Sequence, residues 1–129
     1  MQFITIATIF ASAIAGVSAT CETNQYNPSW PKDRQEAKDA AVKACKSLSG
    51  SYQQNAIKYG CSPIQDSRYK AKKSASFSVQ WTGKAATASL AEADCMKELQ
   101  KEVGGCEHGG TTTTADWKFT ALPQFAACG

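Results

Sequence analysis

The sequence predicts a small disulfide-bonded α+β fold, a mainly antiparallel sheet with at least two helices packed on it. Three observations predict it. Ser74-Ala75-Ser76-Phe77-Ser78-Val79-Gln80-Trp81 alternates strictly, and Trp117, Phe119 and Ala121 alternate with Lys118 and Thr120. A period of two marks strands with one buried face. Two other segments carry apolar residues at helical spacing, and six cysteines stand in a chain of 129 residues.

Taken in order, residues 1–19 read as a secretory signal. Phe3 to Ala11 is apolar and Val17-Ser18-Ala19 is a small-residue cleavage site, although no Lys or Arg stands at the start. The apolar run is about half the ~20 residues that a membrane span needs. The mature chain, 20–129, is therefore expected to be one secreted domain with no membrane association. It retains Cys21, Cys45, Cys61, Cys95, Cys106 and Cys128, an even count that predicts three disulfides of open connectivity. There is no Cys-x-x-Cys and one histidine, so no metal site is expected.

Thr20 to Trp30 reads as irregular. Pro31 precedes a helix over Asp33 to Leu48, whose stripe is Ala37, Ala40, Ala41, Ala44 and Leu48 with Cys45 at its flank. Asp33 and Glu36 in the first turn and Lys43 and Lys46 near the last suit the helix dipole. The alanine face allows close approach to a sheet, and Ser49-Gly50 stops the helix. Ser51 to Tyr59 reads as a strand, Gly60 to Ser67 as a loop, and Arg68 to Lys73 as the lead into the strand ending at Trp81. Ser89-Leu90-Ala91-Glu92 has the form of a capping box before a second helix with Ala91, Cys95, Met96, Leu99 and Val103 on its stripe. Gly104-Gly105 predicts a left-handed stop. Thr111 to Ala121 reads as a strand closed by Pro123, with Thr111 to Thr114 as a polar edge.

The net charge of +3 is mild, weaker than the basic stripe of a nucleic-acid binder, so no nucleic-acid partner is expected. Arg68, Lys70, Lys72 and Lys73 cluster around Tyr69. Such a cluster can meet phosphate or an anionic glycan, but the simpler reading is lysines guarding a strand edge. His108 stands beside Glu107, with Asp116 near in sequence. A Glu/His pair suits acid–base work in a small hydrolase or ribonuclease; the simpler reading is a surface histidine in a glycine turn.

Phe77-x-Val79, Cys95 with Leu99, Gly105-Cys106-x-x-Gly109-Gly110, Trp117-x-Phe119, Pro123 and Cys128 together resemble a family of small secreted fungal proteins typified by a Coprinus comatus glycan-binding protein. Leu122-Pro123-Gln124 stands where that family often reads Asp-Pro-Asn. The resemblance implies an αβα-type sandwich and binding of complex oligosaccharides without catalysis or cofactor. A secreted effector or antimicrobial protein is the alternative. The row Ser76, Ser78, Gln80, Asp116, Lys118 and Thr120 lies opposite the apolar face and offers the donors and acceptors that sugar hydroxyls need. The candidate glycan-binding residues are Gln80, Asp116 and Lys118, with Tyr52 or Tyr69 as the flat aromatic surface. Trp81 and Trp117 are expected in the core. A homodimer formed by pairing of sheet edges at Thr111 to Thr114 is also expected, since lectins gain avidity from paired sites.

Overall fold

The computed structural model describes residues 18–22, 29–31, 34–64, 73–126 and 128. Arg68, Tyr69, Lys70 and Lys72 lie outside them. The elements run β1 (Ser18–Cys21), α1 (Gln35–Leu48), β2 (Gly50–Gln53), β3 (Ile57–Ile64), β4 (Lys73–Trp81), β5 (Thr87–Leu90), α2 (Glu92–Gly105), β6 (Gly110–Thr113) and β7 (Trp117–Gln124). Five strands form an antiparallel sheet in the order β1-β6-β7-β4-β3, and β2 pairs with β5 in a separate ribbon. The fold class is α+β, stapled by three disulfides.

The sheet is built on the two alternating segments. Trp81 pairs with Trp117, Val79 with Phe119 and Phe77 with Ala121, so the apolar halves of β4 and β7 form one surface. Both helices cover it. α1 packs on β3 and β4, α2 on β7 and β6, and the helices pack on each other. Ala37, Ala40, Ala41, Ala44, Cys45 and Leu48 of α1 are all buried, as their spacing predicts. The small side chains let α1 approach β3 closely. A Cβ placed at Gly60 would stand 3.2 Å from the Ala44 Cβ. Phe77, Val79, Leu48 and Leu99 are fully buried, and burial of a side chain of this kind typically contributes about 1.5–3 kcal/mol.

The disulfides follow from this layering. Cys45–Cys95 joins the facing stripes of α1 and α2, Cys21–Cys106 ties β1 to the end of α2, and Cys61–Cys128 brings the carboxyl terminus to β3.

Several local expectations change. The strand expected at Ser51 to Tyr59 is two strands in different sheets, separated at Asn55, whose φ is 65°. β3 then runs through Cys61 and Pro63, where a loop was expected. No capping box forms. Ser89 belongs to β5, and α2 begins at Glu92 after Ala91 with no side-chain cap. Pairing of Ser89 with Ser51 holds the backbone extended there. Gly104 and Gly105 remain helical; the left-handed glycines are Gly50 and Gly109. Arg34 donates to the carbonyls of Val103 and Gly104, both at 3.1 Å, and so satisfies the end of α2 from the start of α1. Pro123 is tolerated inside β7 because β6 begins only at Gly110, opposite Ala121, and does not pair with β7 at Pro123. In the full chain Thr111 to Thr113 is no edge, since β6 lies between β1 and β7, with Ser18 and Ala19 covering Thr113 and Thr112.

Candidate functional site

Alternation that buries one face of the five-stranded sheet turns the other outward. On the half of that face nearest Gln80 and Lys118, Ile57, Tyr59, Thr20, Thr113 and Lys118 are exposed. The register aligns its side chains into rows across the strands. One row is Tyr59, Ser78, Thr120, Thr111 and Thr20, each residue the direct partner of the next. The adjoining row is Ile57, Gln80, Lys118 and Thr113. At the other end the surface closes: Ser74 is buried, and its hydroxyl donates to Gln124 at 3.3 Å.

The two rows are chemically mixed. Ser78, Thr120 and Thr111 are half-buried among their neighbours, while Tyr59 is 73% exposed and Ile57 41% exposed. The Thr111 and Thr120 hydroxyls lie 3.2 Å apart and share one hydrogen bond, which leaves each with further bonding capacity outward. The Gln80 amide donates to the Asn55 carbonyl at 3.4 Å. Lys118 is the single Lys, Arg, Asp or Glu in the two rows. The surface thus offers hydroxyls that donate and accept, an amide that does both, one cation, and an aromatic ring at one margin.

Of the sequence candidates, Gln80 and Lys118 meet as direct partners on this face. Asp116 is exposed beside them in the β6–β7 turn rather than on the strand, and its carbonyl accepts from the Thr82 amide at 2.7 Å. Tyr69 lies outside the described residues. Tyr52 is a correction. It is 2% exposed, on β2, where its ring meets Trp117 and Lys58, and its hydroxyl donates to the Leu48 carbonyl. Burial pushes that hydroxyl's pKa up to about 12. A ring enclosed in this way has no face to offer a sugar. Among the described residues the exposed tyrosine is Tyr59, seven residues further on. Its signal lay in alternation of β3, masked by Gly60, Cys61 and Pro63, which read as a loop.

The other candidates separate. His108 precedes β6 and Asp116 follows it, so the length of a four-residue strand, roughly 13 Å, stands between them. Lys73 does not guard an edge. It is buried on β4, an interior strand, with its ammonium donating to the Ser29 carbonyl and lying 5.1 Å from the Phe125 ring centre. Among the described residues there is no group of three or more His, Cys, Asp or Glu able to hold a metal, and no helix is long and apolar enough to cross a membrane. A shallow, open depression beside α1 and α2 is lined by Lys38, Met96, Lys97 and Lys101, the last paired with Glu98 at 3.5 Å.

Glu102 is the one buried carboxylate among the described residues. It lies on α2, 3% exposed, with Oε2 4.0 Å from the Cys106 sulfur. Burial raises its pKa to about 7; nearby Glu98 adds to the rise and Lys101 opposes it. It sits under the helix layer, away from the polar rows. No family model matches this sequence, and neither a curated protein nor a solved structure matches it.

Proposed function

We propose that this is a secreted, lectin-like protein that binds oligosaccharides without catalysis, through the open half of its sheet. The observation that supports the reading is the unbroken polar row Ser78, Thr120, Thr111 and Thr20 with Tyr59 at its end and Gln80 and Lys118 alongside. Sugar hydroxyls donate and accept at once, so hydroxyl and amide partners suit them better than a purely acidic or basic surface. The sugar's C–H face needs a flat aromatic, and Tyr59 takes the role first assigned to Tyr52 or Tyr69. Asp116 adds an acceptor at the margin. The three disulfides and the segment before Thr20 suit an oxidising, extracellular setting.

A shallow face of this kind gives monovalent dissociation constants of about a millimolar to a micromolar, raised by multivalency. Pairing of two copies along a sheet edge would use β3, or β6 where cleavage before Thr20 removes the β1 partners of Thr112 and Thr113. Light scattering at high micromolar concentration tests it, and a strict monomer rejects it.

A glycan array with the wild type, Tyr59→Ala and the Gln80→Ala/Lys118→Ala double variant tests the reading. Wild-type binding that both variants lose, at unchanged melting temperature, is the expected result. Retention of binding by both variants would move the site elsewhere on the molecule.

A further inference from the structure

We infer that the ligand of this face is a linear, uncharged, β-1,4-linked polysaccharide chain that lies across the strands, one sugar unit to each strand. The inference rests on the glycan-binding reading above and specifies its substrate class.

Three features of the face carry it. First, the polar groups stand in line rather than around a point. Tyr59, Ser78, Thr120, Thr111 and Thr20 come from β3, β4, β7, β6 and β1 in turn, one from each strand of the sheet. A branched glycan terminus is gripped by polar groups that converge in a concave pocket. An extended chain is gripped by groups repeated along it.

Second, the repeat has the right length. Neighbouring strands are ~4.8 Å apart, close to the advance of one pyranose ring along an extended β-1,4-linked chain. The four gaps between five strands span about 19 Å, which accommodates about five sugar units. Each unit then meets one hydroxyl-bearing side chain, and the unit over β3 meets the Tyr59 ring.

Third, the charge is in the wrong place for a polyanion. The row itself holds no Lys, Arg, Asp or Glu side chain, and Lys118 lies alone in the adjoining row; cleavage before Thr20 adds one α-ammonium at the β1 end. A sulfated or uronic-acid chain would place a negative group on nearly every unit, with Lys118 and the terminal amine as the only cations among the described residues of the two rows to meet them. A neutral chain needs none, and Lys118 and Gln80 can bond its edge hydroxyls.

The test is a titration of the purified protein with β-1,4-linked N-acetylglucosamine and glucose oligomers from disaccharide to hexasaccharide, beside an array of branched glycans. Affinity for one of the linear series should rise about ten-fold from trimer to pentamer and then level off. Thr111→Arg places a guanidinium on the fourth strand of the row and should abolish the gain beyond the trimer. If that variant does not fold, Thr20→Arg on the edge strand β1 should move the plateau one unit shorter. Binding of branched glycans with no rise along either linear series would overturn the inference and leave the glycan-binding reading standing. A rise that Thr111→Arg or Thr20→Arg does not shorten would also overturn it. Binding to neither class would overturn both.

Discussion

The rings of Tyr52 and Trp117 meet edge to face, with centroids 5.1 Å apart and planes at 89°. This contact joins the β2–β5 ribbon to the main sheet. Trp81 completes the cluster, 4.9 Å from Trp117, and its indole donates to the Ala85 carbonyl at 2.9 Å. Gly83 makes this possible, since a Cβ there would lie 2.3 Å from the Trp81 ring.

Trp117→Ala should therefore destabilise the fold. Removal of a buried aromatic typically costs about 3–5 kcal/mol; Trp117 is half-buried, so the low end, about 3 kcal/mol, is expected. Thermal or denaturant unfolding measures it. Normal stability with selective loss of glycan binding would instead make Trp117 a site residue.

Glu102 makes stability depend on pH. Its pKa rises from an ordinary 4.5 to about 7 on folding, first through burial and then through Glu98. A carboxyl raised in the folded state contributes fully below its unfolded value, where both states hold the proton. Between about 4.5 and about 7 the unfolded chain ionises first, and stability falls, by at most about 3 kcal/mol. Glu102→Gln should flatten the curve in this window and be more stable than the wild type at pH 8. Urea melts from pH 4 to 8 check it; an unchanged slope in the variant would remove Glu102 as the cause.

Gly109 should not accept a side chain. Its φ is +83°, and a Cβ would stand 2.4 Å from the Ala121 carbonyl oxygen. The same turn is bonded by Glu22, whose amide donates to the Gly109 carbonyl at 2.8 Å. Gly109→Ala should cost more than the ~1–2 kcal/mol of left-handed backbone alone, because β6 and β7 must also separate. A melting temperature equal to the wild type's would contradict this.

Protein recovered from culture medium should begin at or within a residue of Thr20 and carry no free thiol. Its intact mass should fall short of the reduced mass by two hydrogens for each of three disulfides. Cleavage there removes Ser18 and Ala19 from β1 but keeps the Thr20–Thr111 and Cys21–Gly110 pairs and the Cys21–Cys106 bridge. A mass that includes the leader, or alkylation without reductant, would contradict the expectation.

Patterns that depend on near neighbours in the chain were legible in the sequence. The alternation from Ser74 to Trp81, the alanine stripe of α1, and Cys95, Leu99 and Val103 of α2 all lie where their periods place them. A period follows from backbone geometry, and backbone geometry is local. Lys118 and Gln80 were legible as outward residues for the same reason. What they stand beside was not, because register is set by the pairing of distant strands.

Tertiary structure alone decided which of Tyr52 and Tyr59 is exposed. Tyr52 and Tyr59 flank the turn at Asn55, and neither lies in a clean apolar pattern. The chain changes sheets at that turn. β2 carries Tyr52 onto Trp117, while β3 pairs with β4 and sets Tyr59 beside Ser78 on the open face. Disulfide pairing and the burial of Glu102 were likewise decided by what the fold lays against each side chain. Six cysteines specify a count, but only the packing of α1 on α2 and of β1 on β6 brings the right sulfurs together. A side chain's own chemistry is written in the sequence; its neighbours come from elements far along the chain, and those neighbours make it core or surface.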